Sequence, residues 1–144
     1  MTLWGIKTQA AFDVWSIEHL IMGISLGWLA DKVLIKKIIA DEEVSEKTKT
    51  KINFVLVMLI AYIWETLEHY IELGLFGKTI EFWFQGAEHW SNRLIFDNLM
   101  VFLGWLVYTK KTSLRWFARC FSIVWLIVHI FIFPHSMYLH TMFE

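Results

Sequence analysis

Ionisable side chains recur at helical spacing in the middle of this chain, directly after a long apolar run. No charged residue occurs from Ile52 to Trp64. The four ionisable residues that follow at helical spacing, on one face of a helix, are Glu65, Glu68, His69 and Glu72. Carboxylate and imidazole groups bind zinc, iron and manganese, and they also act as general acids and bases. The pattern therefore predicts a buried polar site on this helix.

Similar side chains occur in three other parts of the chain. They are Glu18 and His19 near the N-terminus, the series His89, Arg93 and Asp97 spaced by four, and His129 near the C-terminus. The predicted metal ligands are Glu65, Glu68, His69, His89, Asp97 and His129. The residues predicted to act on a substrate are Glu65, His19, Arg93 and Asp97. The acidic residues Glu18, Glu81 and Glu88 are expected to be solvated.

The composition is that of a membrane protein rather than a soluble domain. Of the 144 residues, 57% are hydrophobic and 17% are aromatic, with nine Trp. Soluble domains are only about 45–50% apolar. A net charge of −1 gives no footprint for nucleic acid. The single cysteine, Cys120, excludes an internal disulfide and a cysteine-based metal cage.

Four apolar segments predict an all-α fold, a polytopic four-transmembrane-helix bundle that forms one domain over residues 1–144. The predicted spans are about 14–38, 52–75, 92–109 and 116–134. A short interfacial helix is expected between the second and third spans. In the first span the uninterrupted apolar part runs only from Leu20 to Ala30, so a half-buried interfacial helix is the alternative. Gly23 and Gly27 there would permit close helix packing.

The basic residues predict the orientation. Lysine and arginine concentrate in the connection between spans one and two and in the connection between spans three and four. The N-terminal stretch, in contrast, has Lys7 alone. By the positive-inside rule both basic connections are cytoplasmic, which places both termini on the extracytoplasmic side.

The ionisable residues of the four spans lie at one depth. Counted from the basic residue at the inner end of each span, the side chains found 13 or 14 residues outward are Glu18 and His19, Glu65, Asp97 and His129. At 1.5 Å per residue this is roughly 20 Å from the inner flank, in the outer half of a core about 30 Å thick. Charged groups in hydrocarbon cost about 2.5–3.5 kcal/mol each, so they should face one another.

Two kinds of chemistry fit this layer. A divalent zinc, iron or manganese ion is one, although the spacing matches no established metal motif. A metal-free network of hydrogen bonds and ion pairs among the same side chains is the other. Arg93 either pairs with Asp97, one helical turn away, or receives an anionic lipid or lipid-linked substrate through its planar guanidinium.

The order of these residues resembles the VanZ-like family of small bacterial membrane proteins. The resemblance covers about Val14 to Tyr108 and depends on His19, Glu65, Arg93, Asp97-Asn98 and Gly104. It implies a bacterial inner-membrane protein associated with envelope chemistry, with His19, Glu65, Arg93, Asp97 and Asn98 as the positions of interest. The pairs Glu68-His69 and Glu88-His89 depart from the family pattern and favour a metal.

Three functions are compatible with the sequence. The first is an enzyme or ligand-binding protein that acts at the extracytoplasmic leaflet, with a divalent metal, a lipid or lipid-linked substrate, or both. The second is a proton or ion relay, because stacked Glu and His side chains also build relays. The third is an accessory subunit of a larger membrane complex. The lipid bilayer is the expected partner, and oligomerisation is compatible with the aromatic surface.

Overall fold

The computed structural model describes residues 2–39, 44–84 and 86–132, and this part of the chain is predominantly α-helical, as predicted. The exception is a small parallel pair of strands at the N-terminus, β1 (Thr2–Trp4) and β2 (Ala10–Phe12). Composition and periodicity gave no signal for strands of three residues. The pair matters because it folds the N-terminal segment back on itself and fixes the turn that contains Lys7.

The helical elements are α1 (Val14–Leu29), α2 (Ile35–Ile39), α3 (Glu46–Glu72), α4 (Lys78–Phe84), α5 (Asp97–Lys110) and α6 (Arg115–Ile127). Wider π-helical turns lie at Ala30–Leu34, Asn92–Phe96 and Val128–Ile132, and a 3₁₀ turn lies at Thr112–Leu114. The first π turn joins α1 to α2, so the helical stretch is continuous from Val14 to Ile39. The seven-residue α4 occupies the position of the short helix predicted between the second and third spans.

Side-chain caps determine where the two longest helices begin. Asp13 caps α1, where its carboxylate accepts hydrogen bonds from the backbone N–H groups of Trp15 and Ser16. Ser45 caps α3 by accepting from the N–H of Thr48. After α3 the chain turns through Gly74 with a φ of +88°, a conformation that glycine adopts without the strain of a Cβ atom.

Helices α1 and α5 pack with almost no side chain between them. A Cβ atom on Gly23 would lie 2.1 Å from the Val101 carbonyl oxygen, and one on Gly104 would lie 1.9 Å from the Leu20 carbonyl oxygen. Gly27 faces the Tyr108 ring, which a Cβ atom would approach to 2.6 Å. The prediction that Gly23 and Gly27 permit close helix packing is therefore confirmed.

The amide of one buried residue, Asn53, links three helices. The Asn53 side chain of α3 donates to the Gly27 carbonyl of α1 at 2.8 Å. It also accepts from the Trp105 indole N–H of α5 at 2.7 Å. Both ends of the amide are thus used, which accounts for a buried asparagine in an apolar run.

Many polar side chains are buried and many large apolar side chains are exposed, which is the reverse of the distribution in a soluble domain. Among the described residues, fourteen polar or charged side chains are buried against thirteen hydrophobic ones. Large apolar side chains such as Val55, Leu59 and Ile63 are more than half exposed along α3. This helix, Glu46–Glu72, is long and apolar enough to cross a membrane. It is the one helix of the described chain that meets both criteria.

Candidate metal centre

Helix α3 supplies the acidic side of the centre. The three carboxylates Glu65, Glu68 and Glu72 lie on one helix face, at i, i+3 and i+7, and all three are buried. Glu65 is only 1% exposed. Both of its carboxylate oxygens are buried, and neither makes a hydrogen bond within the described part of the chain. The lone pairs of both oxygens are therefore unused, and they point into the protein interior.

His19 of α1 faces Glu65 across the centre. The imidazole is 3% exposed, and its Nδ1 lies 2.9 Å from the Trp15 carbonyl oxygen, to which it can donate only as N–H. Its Nε2 lies 2.8 Å from Glu65 Oε1, although these two atoms do not meet the angular geometry of a hydrogen bond. A histidine that donates from one nitrogen to a backbone carbonyl and presents the other to a carboxylate is oriented like a metal ligand.

Asp97 enters the centre from the first turn of α5. Its Oδ1 accepts a hydrogen bond from the Ser16 hydroxyl at 3.1 Å, while Oδ2 is buried without a hydrogen bond among the described residues. The π turn before α5 is closed by Asn98, whose side-chain amide donates to the Arg93 carbonyl at 2.8 Å. This hydrogen bond fixes the π turn that leads into α5. That turn sets the rotation of α5 and directs Asp97 toward the other acidic side chains.

Glu88 reaches the centre from the segment between α4 and α5. It was expected to be solvated, and that expectation is wrong: the residue is 7% exposed. Its backbone N–H donates to Glu72 Oε2 at 3.0 Å, which turns the segment inward. Burial raises the pKa of the Glu88 carboxyl well above its usual range, and the negative charges of Glu68 and Asp97 raise it further. Negative charge at this position therefore needs a cation close by.

Lys7 is the fixed cation of this region, and sequence reasoning missed its role. The side chain is 1% exposed, its ammonium is hydrogen-bonded to Glu72 Oε1, and it lies over the Phe84 ring. Its own carbonyl accepts from the His89 backbone N–H at 2.9 Å. A lone lysine in an apolar N-terminal segment was the available signal.

The N-terminal cap of α1 also borders the centre. Asp13 is 1% exposed, and its Oδ2 accepts from the Asn92 side-chain amide at 3.2 Å. Burial raises the pKa of the Asp13 carboxyl, although the backbone N–H groups of Ser16 and Trp15 oppose the shift. Its oxygens are used by these donors, so Asp13 serves as structural support for α1. Glu18, expected to be solvated, is also buried.

Three groups of side chains could each hold a metal ion. They are His19, Glu65 and Glu68; Glu65, Glu88 and Asp97; and Glu68, Glu72 and Glu88. Within each group the ligand atoms lie within 4.8 Å of one another, and every member is buried. Ligand atoms that lie about 2.0–2.2 Å from one tetrahedral ion are about 3.3–3.6 Å apart, so a group at the 4.8 Å limit would have to contract by about 1 Å to bind an ion through all three side chains.

Several predicted ligands are not brought into these groups. His69 is half-buried at the edge of the acidic face, with its ring 5.8 Å from the Tyr70 ring. His89 contacts the Ser91 hydroxyl through Nδ1 at 2.8 Å. Arg93 is half-buried and forms no ion pair with Asp97 in the described chain, where its buried Nη1 has no hydrogen bond. The His129 side chain lies outside what the structure describes.

Of the predicted site residues, the structure therefore brings together His19, Glu65, Glu68 and Asp97, and it adds Glu88 and Glu72. Comparisons of the chain with protein-family models, with curated proteins and with solved structures found no match. The resemblance to the VanZ-like family consequently stays a prediction.

Proposed function

We propose that this protein crosses a membrane with four helices and binds a divalent metal ion among His19, Glu65, Glu68 and Asp97. The centre lies in the extracytoplasmic half of the bilayer and acts on an anionic lipid or lipid-linked substrate of the cell envelope. The observation that best supports metal binding is the distance of 2.8 Å between His19 Nε2 and Glu65 Oε1, with His19 Nδ1 directed at the Trp15 carbonyl.

The inverted burial pattern supports the membrane part of the proposal. Only 28% of the most apolar window of α3 is buried within the protein, whereas the core helix of a soluble domain would be largely covered. The α6 helix exposes Trp116, Phe117 and Ile123 by more than half. An exposed apolar surface of this kind is stable in contact with lipid hydrocarbon. Carboxylates within the hydrocarbon region must in turn point away from lipid, into the protein.

The orientation predicts opposite labelling of two lysine positions. In a variant with Cys120→Ser, we expect Lys78→Cys to react with an impermeant maleimide in intact cells, since it lies in the extracytoplasmic connection. Lys47→Cys, in the cytoplasmic connection, should react only after the cells are permeabilised. Both residues are exposed, so accessibility within the protein is matched. Equal labelling of the two positions in intact cells would contradict four spans in this orientation.

The metal part of the proposal follows from the state of the ligand atoms. When Nδ1 of His19 carries the proton, Nε2 presents a lone pair to the Glu65 oxygen at 2.8 Å. Two lone pairs at that distance repel, so either a proton on Nε2 or a metal ion must lie between them. A divalent ion satisfies both atoms and offsets part of the charge of Glu68 and Asp97, whereas a protonated His19 would offset one charge only.

Arg93 supports the substrate part. The residue is half-buried on the π turn that precedes α5, and its buried Nη1 is free of hydrogen bonds in the described ranges. A planar guanidinium of this kind recognises phosphate and carboxylate groups through paired N–H donors. When bound, the metal would polarise an oxygen of the substrate or activate a water molecule. The protein's own groups would then bind and orient the anion.

The relay alternative receives less support from the contacts. Within the apolar stretch Ile52–Trp64 of α3, the strongly polar side chain is Asn53, and both ends of its amide are hydrogen-bonded. The hydroxyl of Tyr108 donates to Asp31 at 3.1 Å near the inner end of α5. These groups serve helix packing, and they do not form a chain of exchangeable protons that leads to the centre.

Removal of the Glu65 carboxylate is expected to abolish metal binding. We expect detergent-purified wild-type protein, reconstituted with Mn²⁺, Fe²⁺ or Zn²⁺ and desalted, to retain at least one metal ion per chain by elemental analysis. Glu65→Gln keeps the shape but removes the charge and one oxygen ligand, and it should retain less than about a tenth as much. The control, Glu81→Gln, alters an exposed carboxylate of α4 and should match the wild type. Metal-free wild-type protein after reconstitution would contradict the proposal.

A further inference from the structure

The three potential ligand groups are not equivalent, because one of them already has its cation. In the group of Glu68, Glu72 and Glu88, both oxygens of Glu72 have partners. Oε1 accepts from the Lys7 ammonium, and Oε2 accepts from the Glu88 backbone N–H at 3.0 Å. Lys7 therefore neutralises Glu72 and excludes a metal ion from this group. The other two groups remain, and no lysine or arginine is paired with them among the described residues.

The two remaining groups share one residue, Glu65. The first contains His19, Glu65 and Glu68, and the second contains Glu65, Glu88 and Asp97. Both Glu65 oxygens are buried without hydrogen bonds in the residues that the structure describes. Each oxygen can therefore face a different group. A carboxylate that uses one oxygen for each of two ions is a bridge, and ions in two-metal sites lie about 3.5–4 Å apart.

The outer ligands of the second group are available in the same way. Asp97 Oδ2 and Glu88 Oε1 are buried and lack hydrogen bonds among the described residues. Asp97 is held by the Ser16 hydroxyl through its other oxygen. Like His19, it is thus oriented by one atom and presents the other to the centre, which is the arrangement that second contacts give to metal ligands.

Charge balance distinguishes one ion from two. The two groups together contain four carboxylates, from Glu65, Glu68, Glu88 and Asp97, and the neutral imidazole of His19. One divalent ion leaves two carboxylates without a cation in a buried site, where burial disfavours the charged form and both would have to take up protons. Two divalent ions neutralise all four carboxylates. The pair Lys7 and Glu72 is then neutral by itself.

We infer that the centre holds two divalent cations bridged by Glu65, one bound by His19 and Glu68 and the other by Glu88 and Asp97. The inference depends on the metal binding proposed above. Oxygen ligands predominate, with a single nitrogen, and this donor set suits Mn²⁺ or Fe²⁺. The second ion explains why Glu88, from an irregular segment, is folded into the layer beside Asp97.

The number of ions per chain and their magnetic coupling test the inference. We expect wild-type protein loaded with Mn²⁺ in detergent to retain two ions per chain. Its electron paramagnetic resonance spectrum should be that of an exchange-coupled pair. Glu88→Gln should retain one ion with the isolated six-line spectrum of a single Mn²⁺, and Asp97→Asn should behave in the same way. Glu81→Gln should match the wild type.

The possible outcomes separate this inference from the proposed function. One Mn²⁺ per wild-type chain, with an uncoupled six-line spectrum, would overturn the pair and leave a single metal ion in place. Retention of no metal by the wild type would overturn both. Two ions whose spectra are uncoupled would show that Glu65 is not a bridge. If Glu88→Gln does not fold, the wild-type stoichiometry and spectrum still decide the question.

Discussion

Replacement of Lys7 by methionine is expected to lower the free energy of unfolding by about 3–5 kcal/mol, the range measured when one partner of a buried ion pair is removed. Methionine keeps most of the apolar stem but leaves the Glu72 carboxylate without a cation. Glu72 is 2% exposed and lies beside Glu68 and Glu88, so water cannot replace the ammonium and the neighbouring charges are repulsive. Few single substitutions in this chain should cost as much.

The measurement is thermal unfolding of detergent-purified protein, followed by tryptophan fluorescence. For a chain of this size we expect Lys7→Met to unfold roughly 10 °C below the wild type. Lys78→Met provides the matched control, because Lys78 is exposed on α4, and it should unfold within about 1 °C of the wild type.

A double variant separates charge from shape. In Lys7→Met with Glu72→Gln the unpaired charge is gone, while the Gln carbonyl can still accept from the Glu88 N–H. We expect this variant to regain more than half of the lost stability, since the cost comes from the orphaned carboxylate. If Lys7→Met unfolded at the wild-type temperature, the buried ion pair would not stabilise the fold.

The main part of the site could be predicted from the sequence because helices are periodic. Glu65 and Glu68 follow an apolar run at helical spacing, and residue counts along the spans place His19 and Asp97 at the same depth. Helical rise converts such counts into distances. The structure groups His19 and Glu68 with Glu65, and it groups Asp97 with Glu65 in a second set.

The rest of the site lies on segments without periodicity. Lys7 belongs to a turn within the small β1–β2 pair, and Glu88 lies between α4 and the π turn that precedes α5. No count along a helix gives the position of such a residue. His69 shows a second limit. It is only one residue from Glu68, yet the rotation of α3 places it at the edge of the acidic face, and rotation is decided by packing against partner helices.

Gly23 and Gly104 set the packing of α1 against α5, because each lies against the backbone of the facing helix. Loss of one of these glycines is the second substitution expected to have a large effect. Substitution of Gly104 by alanine places a Cβ atom 1.9 Å from the Leu20 carbonyl oxygen and 3.1 Å from the Gly23 Cα atom. These are backbone atoms of α1, so no side chain can rotate away. The two helices must separate by about 1 Å, which costs more than the usual 1–3 kcal/mol of an overpacked site.

Separation of these helices should also disrupt the centre, because α1 carries His19 and α5 carries Asp97. We expect Gly104→Ala to unfold at least roughly 8 °C below the wild type. It should also retain less than half of the wild-type metal, as measured by elemental analysis of the fraction that remains monodisperse. Leu103→Ala removes an exposed side chain from the adjacent position of α5 and should leave both the unfolding temperature and the metal content close to those of the wild type.

Wild-type stability of Gly104→Ala would show that α1 and α5 do not pack backbone to backbone. Loss of stability with full metal content would show that the ligands adapt to a shift of about 1 Å, and the centre would then depend on loop contacts more than on helix spacing.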